Sequence, residues 1–205
     1  MKKLLAITAL IALSIGCKKK DIAYDITGTV IDGTNGNAAL SGVTVQLYST
    51  PSGGGTQTYI SQQTTASDGT YSFHIERERV ESYTLVFNKT NFFDHQQNFT
   101  YDDASNSNSS AFNATLYSKG WVRLRFVTAD ANSTLSITRH AGKTDCDECC
   151  GSTFSFSGVT DTTFYCINNG NSPYAYYWFR NGGATHGDTS IVTPAGDTAT
   201  LLLNY

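Results

Sequence analysis

The chain has 205 residues, with 18 Gly, 3 Pro and a single Met. From Asp21 onward 9 basic residues stand against 17 acidic ones, a net charge of −8, which leaves no electrostatic footprint for nucleic acid. Nothing resembles an amphipathic helix of useful length, whereas Thr, Ser, Asn and Gly separate many short apolar runs, the composition of an all-β protein.

Met1 to Gly16 does not belong to the fold. Lys2 and Lys3 form a positive n-region before a twelve-residue apolar run, Leu4 to Ile15, shorter than the roughly 20 residues that span a bilayer. Ser14-Ile15-Gly16-Cys17 follows. A small residue directly before a cysteine resembles the lipobox of bacterial lipoproteins, which implies cleavage before Cys17 and acylation of its thiol and new amino group. An ordinary secretory signal with an unrelated cysteine is the alternative. The acyl chains would anchor the protein to a membrane, each buried methylene contributing about 0.8 kcal/mol. Residues 17–23, with Lys18-Lys19-Lys20, then form a basic leash that either lies on anionic head groups or is simply solvated. The expected location is the bacterial cell envelope, at the outer membrane, on its periplasmic or surface face.

From Ile26 to Lys89, apolar residues recur at every second position in four runs: Ile26/Gly28/Val30, Val43/Val45/Leu47, Tyr71/Phe73/Ile75 and Tyr83/Leu85/Phe87. A period of two puts one face of each run on a core and the other in water. Asp32-Gly33, Asn35-Gly36, Ser41-Gly42 and Asp68-Gly69 separate the runs and suit the positive φ angles of tight hairpins. Gly28, within a strand, predicts a bulge or a close backbone approach. The ordered set Gly28-Thr29-Val30 with Asp32, Leu40 with Gly42-Val43-Thr44-Val45, Asp68-Gly69-Thr70-Tyr71-Ser72-Phe73 and Tyr83-Thr84-Leu85 resembles the carboxypeptidase regulatory-like domain, a prealbumin-type (transthyretin-like) β-sandwich. The resemblance is carried across residues 24–117. It implies a folding, stability or interaction module with no catalytic residues of its own.

Within this half, Ser49 to Gln57 reads as a flexible loop and Glu76 to Glu81 as a charged connection. His74 alternates away from Phe73 and Ile75 and belongs on a strand surface. Phe99 to Asp102 and Phe112 to Tyr117 are the closing strands, with Asp103 to Ser110 an exposed loop between them. The boundary falls at Ser118-Lys119-Gly120. Residues 118–205 begin a second alternation, with Val122, Leu124 and Phe126 against Trp121, Arg123 and Arg125. Strands follow around Leu135/Ile137, Phe154/Phe156, Phe164 to Ile167, Tyr174 to Phe179, Asp188 to Thr193 and Thr198 to Tyr205. Asn168-Asn169-Gly170-Asn171 reads as a hairpin turn. The expected architecture is all-β: two small antiparallel β-sandwiches in tandem, the first prealbumin-like.

Three constellations bear on function. Cys146, Cys149, Cys150 and Cys166 are an even set in an exported protein, and adjacent Cys149 and Cys150 seldom bond to each other. One bridge tying the loop to Cys166 and one closing it upon Cys146 are expected. A four-thiolate zinc site is the competing reading, disfavoured by the lack of two CxxC knuckles. In Tyr174 to Phe179, Tyr174, Tyr176 and Trp178 share one face, and Tyr177 and Phe179 the other. The first row is a candidate for stacking against sugar rings or a partner's apolar surface, unless it is simply sandwich core. His74, His95, His140 and His186 are scattered, without HExxH, G-x-S-x-G, a Walker loop or a cofactor signature. The expected function is therefore a non-catalytic envelope lipoprotein that binds a glycan, a polymer or another envelope protein. The alternative is an envelope hydrolase with its site in the 118–205 half.

Overall fold

The computed structural model describes residues 23–76, 78–105, 111–146 and 148–205; the expected signal peptide, Cys17 and most of the basic leash lie outside them. Four strands of the first half follow from the period-two pattern. β1 (Ala23–Asp32) lies antiparallel to β5 (Thr70–Glu76), with Ile26 opposite Phe73 and Gly28 opposite Tyr71. The short β2 (Ala38–Ala39) and β8 (Ala114–Leu116) complete this sheet. The facing sheet runs in the order β4 (Thr58–Thr64), β3 (Thr44–Pro51), β6 (Val80–Asn88) and β7 (His95–Phe99). Ile26, Val30, Tyr71 and Phe73 from one sheet meet Val45, Leu47, Leu85 and Phe87 from the other in a single buried cluster. Rings of Tyr71 and Phe87 touch edge to face across the gap at 5.7 Å.

The second half repeats the plan. One sheet is β11 (Thr153–Ser157), β10 (Thr134–Ala141), β13 (Ser172–Arg180) and β14 (Thr185–Thr193). The other is β12 (Thr160–Asn169), β9 (Lys119–Thr128) and β15 (Thr198–Asn204). Val122, Leu124 and Phe126 pack against Leu135, Ile137 and Tyr176 in a second cluster that shares no residue with the first. The protein is thus an all-β chain of tandem sandwiches.

Several local expectations change. The sandwiches are not wholly antiparallel, because β8 runs parallel to β1 and β15 parallel to β9. A strand that returns to a sheet after a long excursion through the opposite one is free to enter in either direction, unlike the partner of a two-residue hairpin. Asp68-Gly69 and Asn168 to Asn171 are turns, but not hairpins: they carry the chain from β4 to β5 and from β12 to β13, which lie in different sheets. Gly69, at φ +76°, is held under β1, its carbonyl accepting a hydrogen bond from the Val30 N–H at 2.9 Å. Thr58 to Thr64, not expected as a strand, forms the edge strand β4; its exposed Tyr, Gln and Thr side chains lack a clean alternation. The strand expected over Phe99 to Asp102 stops at Phe99. A short helix, α1 (Tyr101–Ser105), takes over, so Asp103 and Ala104 are not in an exposed loop and Ala104 is buried. The cause is a capping box: Asp103 Oδ2 accepts from both the N–H and the hydroxyl of Thr100, each at 2.7 Å, and the same bonds hold the Asp103 carboxyl below its ordinary range.

Candidate functional site

Both rows of β13 are aromatic, so its own alternation does not say which row faces the core. The neighbouring strands decide. Trp178 is registered against Ile137 of β10 and Gly187 of β14, whereas Tyr177 is registered against Thr138 and Asp188. The apolar partners take their row inward. Tyr174 and Tyr176 are 1% and 2% exposed, and Trp178 is half-buried over Gly187, where a Cβ would sit 2.6 Å from the indole ring. The expected stacking row of Tyr174, Tyr176 and Trp178 is therefore core, and this corrects the sequence expectation. Burial pushes the phenols of Tyr174 and Tyr176 above the ordinary tyrosine value, with the Arg139 guanidinium opposing it at Tyr174.

The opposite row is the one that meets solvent, with Tyr177 46% and Phe179 41% exposed. Two histidines stand beside these rings. His140, from β10, stacks on Tyr177 at 4.1 Å between centroids, and His186, from β14, lies 6.2 Å from Phe179. Nε2 of His140 is 2.8 Å from Oδ1 of Asp188. Ser136 is registered against Phe179, and Ser155 of β11 against Ser136. The outer face of this sheet therefore combines two aromatic surfaces with imidazoles, a carboxylate and hydroxyls. No signal in β13 alone could have selected this row; the polar residues Thr138, His140 and Asp188 carried it, at positions distant in the chain.

That arrangement has the composition of a binding surface. His140 is engaged by Asp188 and by the Tyr177 ring, and among the described residues no hydroxyl or thiol hydrogen-bonds to it. The thiols are committed elsewhere: Cys146 bonds Cys149 and Cys150 bonds Cys166. Among the described residues no group of three or more His, Cys, Asp or Glu could hold a metal ion. His74 is on a strand surface, 2.8 Å from Asp25.

The class defined by these observations is a tandem β-sandwich protein. No family model matches the chain, and no curated protein matches it in sequence. Among solved structures it is similar to the Bacillus anthracis TIE protein, at 12% identity over 89% of this chain and a TM-score of 0.36. A Streptococcal ancillary pilin is 10% identical over 90% of the chain, with a TM-score of 0.32. The C-terminally truncated tip fimbrial protein Mfa3 from Porphyromonas gingivalis is 10% identical over 85%, with a TM-score of 0.34. The chain spans 34% of the first of these, 63% of the second and 83% of the third.

Proposed function

We propose that the protein is a non-catalytic binding module of the bacterial cell envelope, tethered through Cys17, that recognises a glycan on the outer face of β10, β13 and β14. The observation that carries this reading is the exposed pair Tyr177 and Phe179 set beside the His140–Asp188 hydrogen bond. A sugar ring is itself two-faced: its C–H face stacks on an aromatic ring and its hydroxyls need donors and acceptors at the rim. Residues 24–117 and 118–205 act as two domains in this reading, supported by their disjoint cores. The first is taken as a regulatory-like module, supported by the structural positions of Gly28, Asp32 and Tyr71.

The test is binding of the purified protein to a glycan panel and to envelope extract. Saturable binding to a glycan is expected, weakened at least tenfold by Tyr177→Ala or Phe179→Ala with the melting temperature nearly unchanged. Tyr176→Ala, by contrast, should destabilise the fold by about 3–5 kcal/mol, the range for removing a buried aromatic side chain. Capture of an envelope protein in place of a glycan would assign the face to a protein partner. Turnover of a substrate that is lost in His140→Ala would establish the hydrolase reading instead.

A further inference from the structure

The three-stranded sheet has its own outer face, on the opposite side of the second sandwich, built from β12, β9 and β15 in register. Trp121 lies between Ile167 and Thr198, Arg123 between Tyr165 and Thr200, and Arg125 between Thr163 and Leu202. The two arginines are treated differently. Arg125 donates from Nε and Nη2 to both oxygens of Asp161, at 3.0 and 2.9 Å. No residue opposite or diagonal to Arg123 on β12 or β15 is acidic. Its Nε is buried and makes no hydrogen bond among the described residues, although the side chain as a whole stays half-exposed.

We infer that Arg123, flanked by Trp121 and Tyr165, is a recognition site for the carboxylate of an acidic saccharide, a uronic-acid unit within a glycan. A guanidinium that has lost part of its hydration without meeting a counter-charge gains more from a carboxylate than a fully solvated one does. Its planar fork matches a carboxylate with two parallel bonds. Tyr165 is 66% exposed and Leu202 51%, so apolar surface for a sugar ring lies next to the charge. An acidic peptide fits less well, because the backbone of β9 is already paired on both sides and offers a peptide no main-chain partners. A polyanion charged more densely than one carboxylate per sugar, such as a nucleic acid or a heavily sulfated glycan, is opposed by the net charge of −8 from Asp21 onward. The site is separate from the Tyr177 face and does not depend on it.

The experiment compares oligogalacturonate with the same oligomer fully methyl-esterified, by calorimetric titration into the purified full chain. The acid should bind at least about tenfold more tightly than the ester, the lower end of what a hydrogen bond to a charged group contributes. Arg123→Gln should bring the acid down to the affinity of the ester, Arg123→Lys should retain part of the preference, and Tyr59→Ala, in the first sandwich, should leave it intact. The comparison of acid with ester in the unaltered protein needs no variant, so it stands even if Arg123→Gln folds poorly. Equal affinity for acid and ester, binding of neither, or a preference retained in folded Arg123→Gln overturns the inference. So does tighter binding of polyglutamate than of oligogalacturonate.

Discussion

Tyr176 and Tyr177 are neighbours of the same type with opposite fates, which shows how little the residue alone decides. What separates them is the row each belongs to: Tyr176 shares the side of β13 on which Trp178 meets Ile137 and Gly187, and Tyr177 the side that meets Thr138 and Asp188. Gly28 is the reverse case, where a single residue is dictated by its surroundings. A Cβ there would collide with the Phe112 carbonyl and come within 2.7 Å of Tyr71 Oη, which donates a buried 2.6 Å hydrogen bond to that same carbonyl. Gly28→Ala should therefore cost about 1–3 kcal/mol as an overpacking change, read as a lower urea midpoint at an unchanged m-value. Buried phenols give a pH prediction. Burial raises the folded-state values of Tyr71, Tyr174 and Tyr176, so the folded protein holds these protons more tightly than the unfolded chain. Stability should be undiminished below the ordinary tyrosine value of about 10 and fall as pH rises beyond it. In an absorbance titration of phenolate, Tyr71, Tyr174 and Tyr176 should ionise only together with unfolding.

Elements are joined mainly by crossings between sheets, and one disulfide ties the loop between β10 and β11 to a strand of the other sheet. Cys150–Cys166 ties the loop after β10 to the middle of β12, 16 residues on, whereas Cys146–Cys149 closes a separation of only 3. Loop-closure entropy makes the longer bridge worth about 3 kcal/mol and the shorter about 2 kcal/mol. Cys150→Ser/Cys166→Ser should accordingly lower the unfolding free energy more than Cys146→Ser/Cys149→Ser, checked by parallel denaturation curves of the two variants. The loop that carries the short bridge also meets the first half. Glu148 lies 3.3 Å from Lys119 Nζ, and Lys119 and Lys143 stand 5.5 and 4.7 Å from the ring of Phe93. The backbone continues the seam, with the Lys119 N–H donating to the Asn91 carbonyl at 2.6 Å.

Across the whole molecule, two buried clusters of different residues sit on either side of that seam, and their surfaces divide the chemistry. The aromatic and hydroxyl-rich face lies on one sheet of the second half, and the arginine-bearing face on the other. No helix among the described residues is long and apolar enough to cross a membrane; in our reading the attachment is the lipid on Cys17. Cys17→Ser should release the protein from the membrane fraction and abolish labelling with a fatty-acyl probe, measured by fractionation and in-gel detection. Unchanged fractionation of Cys17→Ser would reject the anchor.

The amino-acid sequence by itself determined that the chain is all-β and which residues of most strands are buried. Val43/Val45/Leu47, Tyr83/Leu85/Phe87 and Val122/Leu124/Phe126 alternate with polar residues, and a half-buried strand has only one way to satisfy such a pattern. The even cysteine set and the strain of an adjacent pair likewise pointed to two disulfides, one reaching Cys166 and one Cys146, with the choice between Cys149 and Cys150 left open. Tertiary structure alone decided three things. It chose between the two aromatic rows of β13, since both satisfy a period of two and the partner strands supply the difference. It made Asp68-Gly69 and Asn168 to Asn171 sheet-to-sheet crossings, because a tight turn sets the local reversal but not which sheet receives the next strand. And it left Arg123 without the carboxylate that Arg125 has, a distinction set by where Asp161 and Tyr165 fall in the register of β12, which no single strand records.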